Sequence, residues 1–126
     1  MTASANRPLS PHLQIYRPQL TSILSIVHRA SGLFLIAGTI AFSTWVVALS
    51  CGESIFVAYT GLLNSLPGQL FTLGCLFSFF YHLCNGVRHL LWDAGHGYQL
   101  RSVYLSGGLV VVVSVLMTAL AVLAAP

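Results

Sequence analysis

The stretch from Ala30 to Ser50 reads ASGLFLIAGTIAFSTWVVALS, and none of its residues carries a formal charge. A helix needs about 20 predominantly apolar residues to cross about 30 Å of hydrocarbon, and this stretch supplies them. Its helix is expected to begin earlier, near Thr21, with a polar turn carrying Ser22, Ser25, His28 and Arg29. Two further stretches have the same character. One runs from about Gln69 to Trp92, the other from about Val103 to Ala125, and the latter is uncharged. The expected fold is therefore all-α: an integral membrane bundle of three transmembrane helices spanning residues 21–126.

Composition agrees. Charged residues make up 6% of the 126-residue chain, against roughly 25% in ordinary globular proteins, and the mean hydropathy is +0.85. So few charged side chains cannot coat a soluble protein of this size, and lipid is the expected solvent for most of the surface. The net charge is +3, but the arginines stand singly and form no basic stripe, which excludes a nucleic-acid binder. Cys51, Cys75 and Cys84 form no CxxC pair and no Cys/His cluster, so zinc and iron–sulfur sites lack ligands. The first residues, MTASANRPLSPH, have neither the apolar core of a signal peptide nor the Arg-rich amphipathic pattern of a long transit peptide. A bacterial chain, or one whose presequence has been removed, is expected.

The breaks between spans are legible. Pro8, Pro11 and Pro18 interrupt the N-terminal segment. Cys51-Gly52-Glu53-Ser54 closes the first span, and Pro67 is placed in the first turn of the second. Gly95 or Gly97 ends that second helix. Ile55 to Leu66 is apolar but too short to cross, and is expected at the membrane interface. Arg7, Arg17 and Arg29 precede the first span, Arg88 and Arg101 flank the loop between the second and third, and the other loop has no Arg or Lys. The positive-inside rule then puts the N-terminus in the cytoplasm or matrix.

Ionisable groups inside a span are costly, about 2.5–3.5 kcal/mol for a central Arg on insertion scales, and two clusters hold them. In the first, Ser25 and Arg29 are four apart on one helical face. Both donate hydrogen bonds, and Arg also stabilises negative charge developing on a carbonyl ligand as it is reduced. The residues equally allow Arg29 and His28 to be interfacial anchors, with Ser25 bonded to its own helix. In the second cluster, His82 and His89 are seven apart, on nearly the same face as Cys75, Ser78 and Gly86. His82 lies about ten residues from the end of its span, roughly 15 Å deep. A neutral imidazole at that depth suits haem iron, and Gly86 leaves room for a flat macrocycle. Arg88, Arg29, His28 and His89 then lie where propionates would be met. A histidine that merely ties two helices together fits the same pattern. The other spans offer no second histidine at comparable depth, so a bis-histidine haem would need a ligand from another chain.

Arg7-Pro8-Leu9-Ser10-Pro11-His12-Leu13-Gln14-Ile15-Tyr16, followed by Ser25-Ile26-Val27-His28-Arg29-Ala30-Ser31-Gly32, resembles the N-terminal signature of the large cytochrome b anchor subunits of succinate dehydrogenase. Tyr81-His82, with Asn85-Gly86-Val87-Arg88-His89-Leu90-Leu91-Trp92-Asp93, is similar to the second signature of that family. The likeness covers the whole chain in length, layout and motif order, in the mitochondrial and alphaproteobacterial form. It implies haem b held by His82 together with a small membrane-anchor subunit, and ubiquinone bound by Ser25 and Arg29. It also implies His28 and His89 near the haem propionates, with an iron–sulfur subunit and a flavoprotein subunit as soluble partners. Residues 1–20 would then be an ordered cytoplasmic or matrix segment that docks those partners, in a bacterial or mitochondrial inner membrane. A haem-free structural anchor and the anchor of a fumarate reductase remain the alternatives, and His96 is assigned no role.

Overall fold

A computed structural model describes residues 17–125. The docking segment expected at residues 1–20, with Arg7 and His12, therefore lies almost wholly outside the described residues. Four helices follow one another: α1 (Leu20–Ser50), α2 (Glu53–Asn64), α3 (Leu66–Asp93) and α4 (Leu100–Ala124). No strand occurs among the described residues. The helices α1, α3 and α4 are long and apolar enough to cross a membrane, as the all-α three-span reading requires.

The boundaries follow from local chemistry. Gly52, at φ +106°, turns the chain out of α1 and into α2. The short apolar stretch expected at the interface is α2 itself. It is fastened to α1 where the Tyr59 hydroxyl donates to the Ala41 carbonyl at 2.9 Å and lies 2.7 Å from Thr44 Oγ1. Next, α3 starts at Leu66, three residues earlier than the hydropathy suggested. Ser65 caps it by accepting the Gly68 N–H at 3.3 Å, and Pro67 occupies the first turn. A Cβ on Gly68 would run into the Leu62 and Leu63 carbonyl oxygens, so the sharp α2–α3 corner requires glycine there. Gly95 (φ +81°) and Gly97 (φ +83°) both take the left-handed turn that ends α3. Finally, α4 begins at Leu100, which draws Arg101 into its first turn.

The middle helix, α3, packs along both α1 and α4. Burial is inverted relative to a soluble bundle. Leu24, Ala48, Tyr81 and Val110 are the buried apolar side chains, whereas Ser31, Ser78, Asn85, Arg88, Ser114 and Thr118 are buried and polar. Large apolar side chains such as Ile36, Ile40, Leu109 and Leu116 face outward. Polar atoms must find partners inside because hydrocarbon offers none. Tyr81 does so by donating its hydroxyl to the Leu24 carbonyl at 2.9 Å. Ser114 and Thr118 bond back to Val110 and Ser114 carbonyls of their own helix, at 2.6 and 2.7 Å.

Small residues set the helix spacing. A Cβ on Gly38 would lie 2.8 Å from Cys75 Sγ, and one on Gly107 would lie 2.8 Å from Leu24 Cδ1. These two glycines permit the close approach of α1 to α3 and of α4 to the other two helices.

Candidate functional site

The chain enters α1, leaves α3 and enters α4 at one end of the bundle. His28 therefore lies about 12 Å into α1 and His82 about 16 Å back from the end of α3, at 1.5 Å per residue. Their rings stack with centroids 3.9 Å apart and planes 15° from parallel. His89 joins them, 5.3 Å from the His28 ring, and its other side meets Trp92 edge-on at 5.3 Å. The three histidines singled out by the sequence are thus gathered on one seam between α1 and α3. Among the described residues no group of three His, Cys, Asp or Glu converges to hold a bare metal ion.

The environment of His82 selects Nδ1 as a donor. Its Nδ1 lies 3.2 Å from the His28 carbonyl oxygen and 3.1 Å from Ser31 Oγ. A carbonyl only accepts, and the Ser31 hydroxyl already donates its proton to that same carbonyl at 2.7 Å. The Nδ1 must therefore carry a proton. In a neutral ring Nε2 then holds the lone pair, and no hydrogen bond reaches it among the described residues. Of the two roles expected for His82, the structure has the helix tie, made by Nδ1 between α3 and α1. His28 Nδ1 is buried with no partner among the described residues. Beside them, a Cβ on Gly86 would meet only His28 Cε1, at 4.0 Å, so the seam is open there.

On another side of α1 lies a second feature. Thr21, Ser22, Ser25, Ile26 and Arg29 line a cavity of about 310 Å³. Arg29 Nη2 donates to Ser25 Oγ at 3.3 Å, so the expected pairing is formed, and the remaining guanidinium protons have no partner among the described residues. His28 and Arg29, adjacent in sequence, face different neighbours.

Residues 3–121 match the family model of the succinate dehydrogenase/fumarate reductase transmembrane subunit. The chain belongs to that family. It is 42% identical to the succinate dehydrogenase cytochrome b556 subunit of Rickettsia bellii, over 90% of this chain and 89% of the relative. The cytochrome b556 subunit of Paracoccus denitrificans is 36% identical over 91% and 88%. The mitochondrial cytochrome b560 subunit of Mus musculus is 40% identical over 90% of this chain and 68% of its own length.

In this transmembrane subunit, Arg88 departs from what its sequence position suggests. It neither reaches for the surface nor toward His82. Only 4% exposed, it donates from Nε to Ser106 Oγ at 2.9 Å, from Nη2 to the Val103 carbonyl at 3.0 Å and from Nη1 to Asn85 Oδ1 at 3.5 Å. Its guanidinium also lies 4.0 Å over the Trp92 ring. Asp93 is not among its partners. Asn85 in turn places Nδ2 3.4 Å from His89 Nε2. Two residues with evident work here, Ser31 and Asn85, were given no role from sequence. The usable signal for Asn85 was an amide deep within a span, a costly group that needs partners.

Proposed function

We propose that this chain is the membrane-anchor subunit of a succinate:quinone oxidoreductase, holding haem b jointly with a small second anchor subunit and helping to form the site of ubiquinone reduction. The observation that carries the reading is the geometry at His82: Nδ1 is engaged by α1 while Nε2 has no partner among the described residues, and Nε2 is the atom an iron ligand of this kind would present. The surroundings fit a porphyrin. The seam is open at Gly86, and His28 carries an orphaned nitrogen where acidic substituents would be met. Relatives named cytochrome b subunits of succinate dehydrogenase support the same reading. They also favour succinate dehydrogenase over the fumarate reductase covered by the family description. Bound haem would supply one-electron storage.

The chain's own residues then have these tasks. His82 would hold the haem iron, together with a ligand from the small anchor subunit. His28 and His89 would lie by the propionates. Ser25 and Arg29 would receive the ubiquinone head group in the cavity at the start of α1, where Arg29 opposes the negative charge that builds on the carbonyl oxygens during reduction. Dehydrogenation of succinate would belong to the flavoprotein, with electrons relayed by the iron–sulfur subunit. Residues 1–20 would dock these soluble partners. The N-terminus would then lie in the cytoplasm or matrix, the side the arginine distribution supports.

The test is a dithionite-reduced minus oxidised absorbance spectrum of the detergent-solubilised complex, with His82→Ala beside the unchanged protein. Loss of a b-type alpha band in the variant is expected. A band that survives the substitution would move the ligand elsewhere.

A further inference from the structure

The reading of His82 as an iron ligand leaves open what aims it. A histidine on a helix has two free side-chain torsions and two tautomers, and only one combination presents a lone pair on Nε2 in a set direction. Here five residues of α1, His28 to Gly32, little more than one turn, act on one ring. The His28 carbonyl and the Ser31 hydroxyl converge on Nδ1 at 3.2 and 3.1 Å. Ser31 is 7% exposed and locked by its own donation to the His28 carbonyl, so it presents only lone pairs to His82. Gly32 supplies the clearance, since a Cβ there would stand 3.1 Å from His82 Cε1. The stacked His28 ring closes one face.

We propose that the Ser31 hydroxyl and the His28 carbonyl form a clasp on α1 that holds the Nδ1 proton of His82, making Ser31 a positioning residue for the haem ligand. The inference rests on the reading of His82 given above. Hydrogen bonding at the far nitrogen orients a ligating imidazole and raises its basicity, and loss of such a partner typically weakens metal binding 10- to 100-fold. Ser31 is one of two acceptors, so the low end of that range applies.

The experiment uses the whole complex in membranes, carrying Ser31→Ala, Ser31→Thr or His82→Ala. Two readouts are taken: the largest g value of the oxidised low-spin haem by electron paramagnetic resonance, and the rate of haem transfer to apomyoglobin. Ser31→Ala is expected to shift the g value, because the ring is freed to rotate, and to speed haem transfer roughly tenfold. Ser31→Thr keeps the hydroxyl and returns both readouts towards the unchanged protein. If His82→Ala loses the haem while Ser31→Ala changes neither readout, the clasp is overturned and the ligand stands. A change in Ser31→Ala that threonine does not reverse assigns the effect to lost packing and also overturns the clasp. If His82→Ala keeps its haem, the underlying reading fails instead. Should Ser31→Ala not assemble, Gly32→Ala pushes the ring from the other side, and an unaltered g value in that variant overturns the proposal.

Discussion

The two seams of α3 are built from similar residues and finished differently. Towards α4, the buried Arg88 of α3 meets a helix whose Gly107, Val110, Ser114 and Thr118 are buried in turn. Each of the three guanidinium nitrogens of Arg88 has a partner on α3 or α4. Towards α1, the seam is polar but incomplete. Among the described residues His82 uses one nitrogen, His28 has an unpaired buried one, and Gly86 leaves space. In a membrane, where an unsatisfied polar atom costs more than a missing methyl, the closed seam reads as structure and the open one as a place awaiting a guest. The charge of a residue does not decide which it serves; its unfilled hydrogen bonds do.

Substitutions can break or sharpen that contrast. The largest effect should come from the open seam: His82→Ala is expected to abolish the haem spectrum. Next, Arg29→Ala should slow ubiquinone reduction roughly 100-fold, as removal of a charge-stabilising donor does. Succinate oxidation by an artificial dye should persist in that variant; equal loss of both activities would indicate failed assembly. On the closed seam, Arg88→Ala should act through stability. It removes two hydrogen bonds that bridge to α4, one within α3 and a cation–π contact, together about 3 kcal/mol. A lowered thermal midpoint is expected, with the haem band of the folded fraction unchanged. A haem band altered without loss of stability would transfer Arg88 to the open seam. Gly107→Ala should cost about 1–2 kcal/mol, because its Cβ meets the movable tip of Leu24 rather than backbone. Ser114→Ala should cost less than about 0.5 kcal/mol, since its hydroxyl bonds only its own helix. Chemical denaturation in mixed micelles would rank the last three.

Much of this was legible in the chain. Hydropathy alone located the three spans, and Pro67, Gly95 and Gly97 marked the helix ends, because the bilayer and the backbone impose those demands locally. The pairing of Ser25 with Arg29 followed from helical spacing. The depth of burial of Ser78, grouped in sequence with His82 and Gly86, was not legible. It is buried along with Tyr81 and Asn85, and burial of this kind is settled by which neighbour packs where. For the same reason the inward course of Arg88 was invisible: its partners Val103 and Ser106 belong to the next helix. The engagement of His82 through Nδ1 depends on a carbonyl, which no side-chain motif records.

Arg88 also has a mechanical consequence. It grips α4 by Val103 and Ser106, within the first two turns of that helix, whereas Ser114 and Thr118 further along spend their hydroxyls on their own backbone. Thus α4 resembles a lever clamped at one end and resting on a smooth track for the remainder. Pulled from its Ala124 terminus, it should peel steadily back towards Gly107 and halt at the clamp, giving a two-step force trace that Arg88→Ala reduces to one.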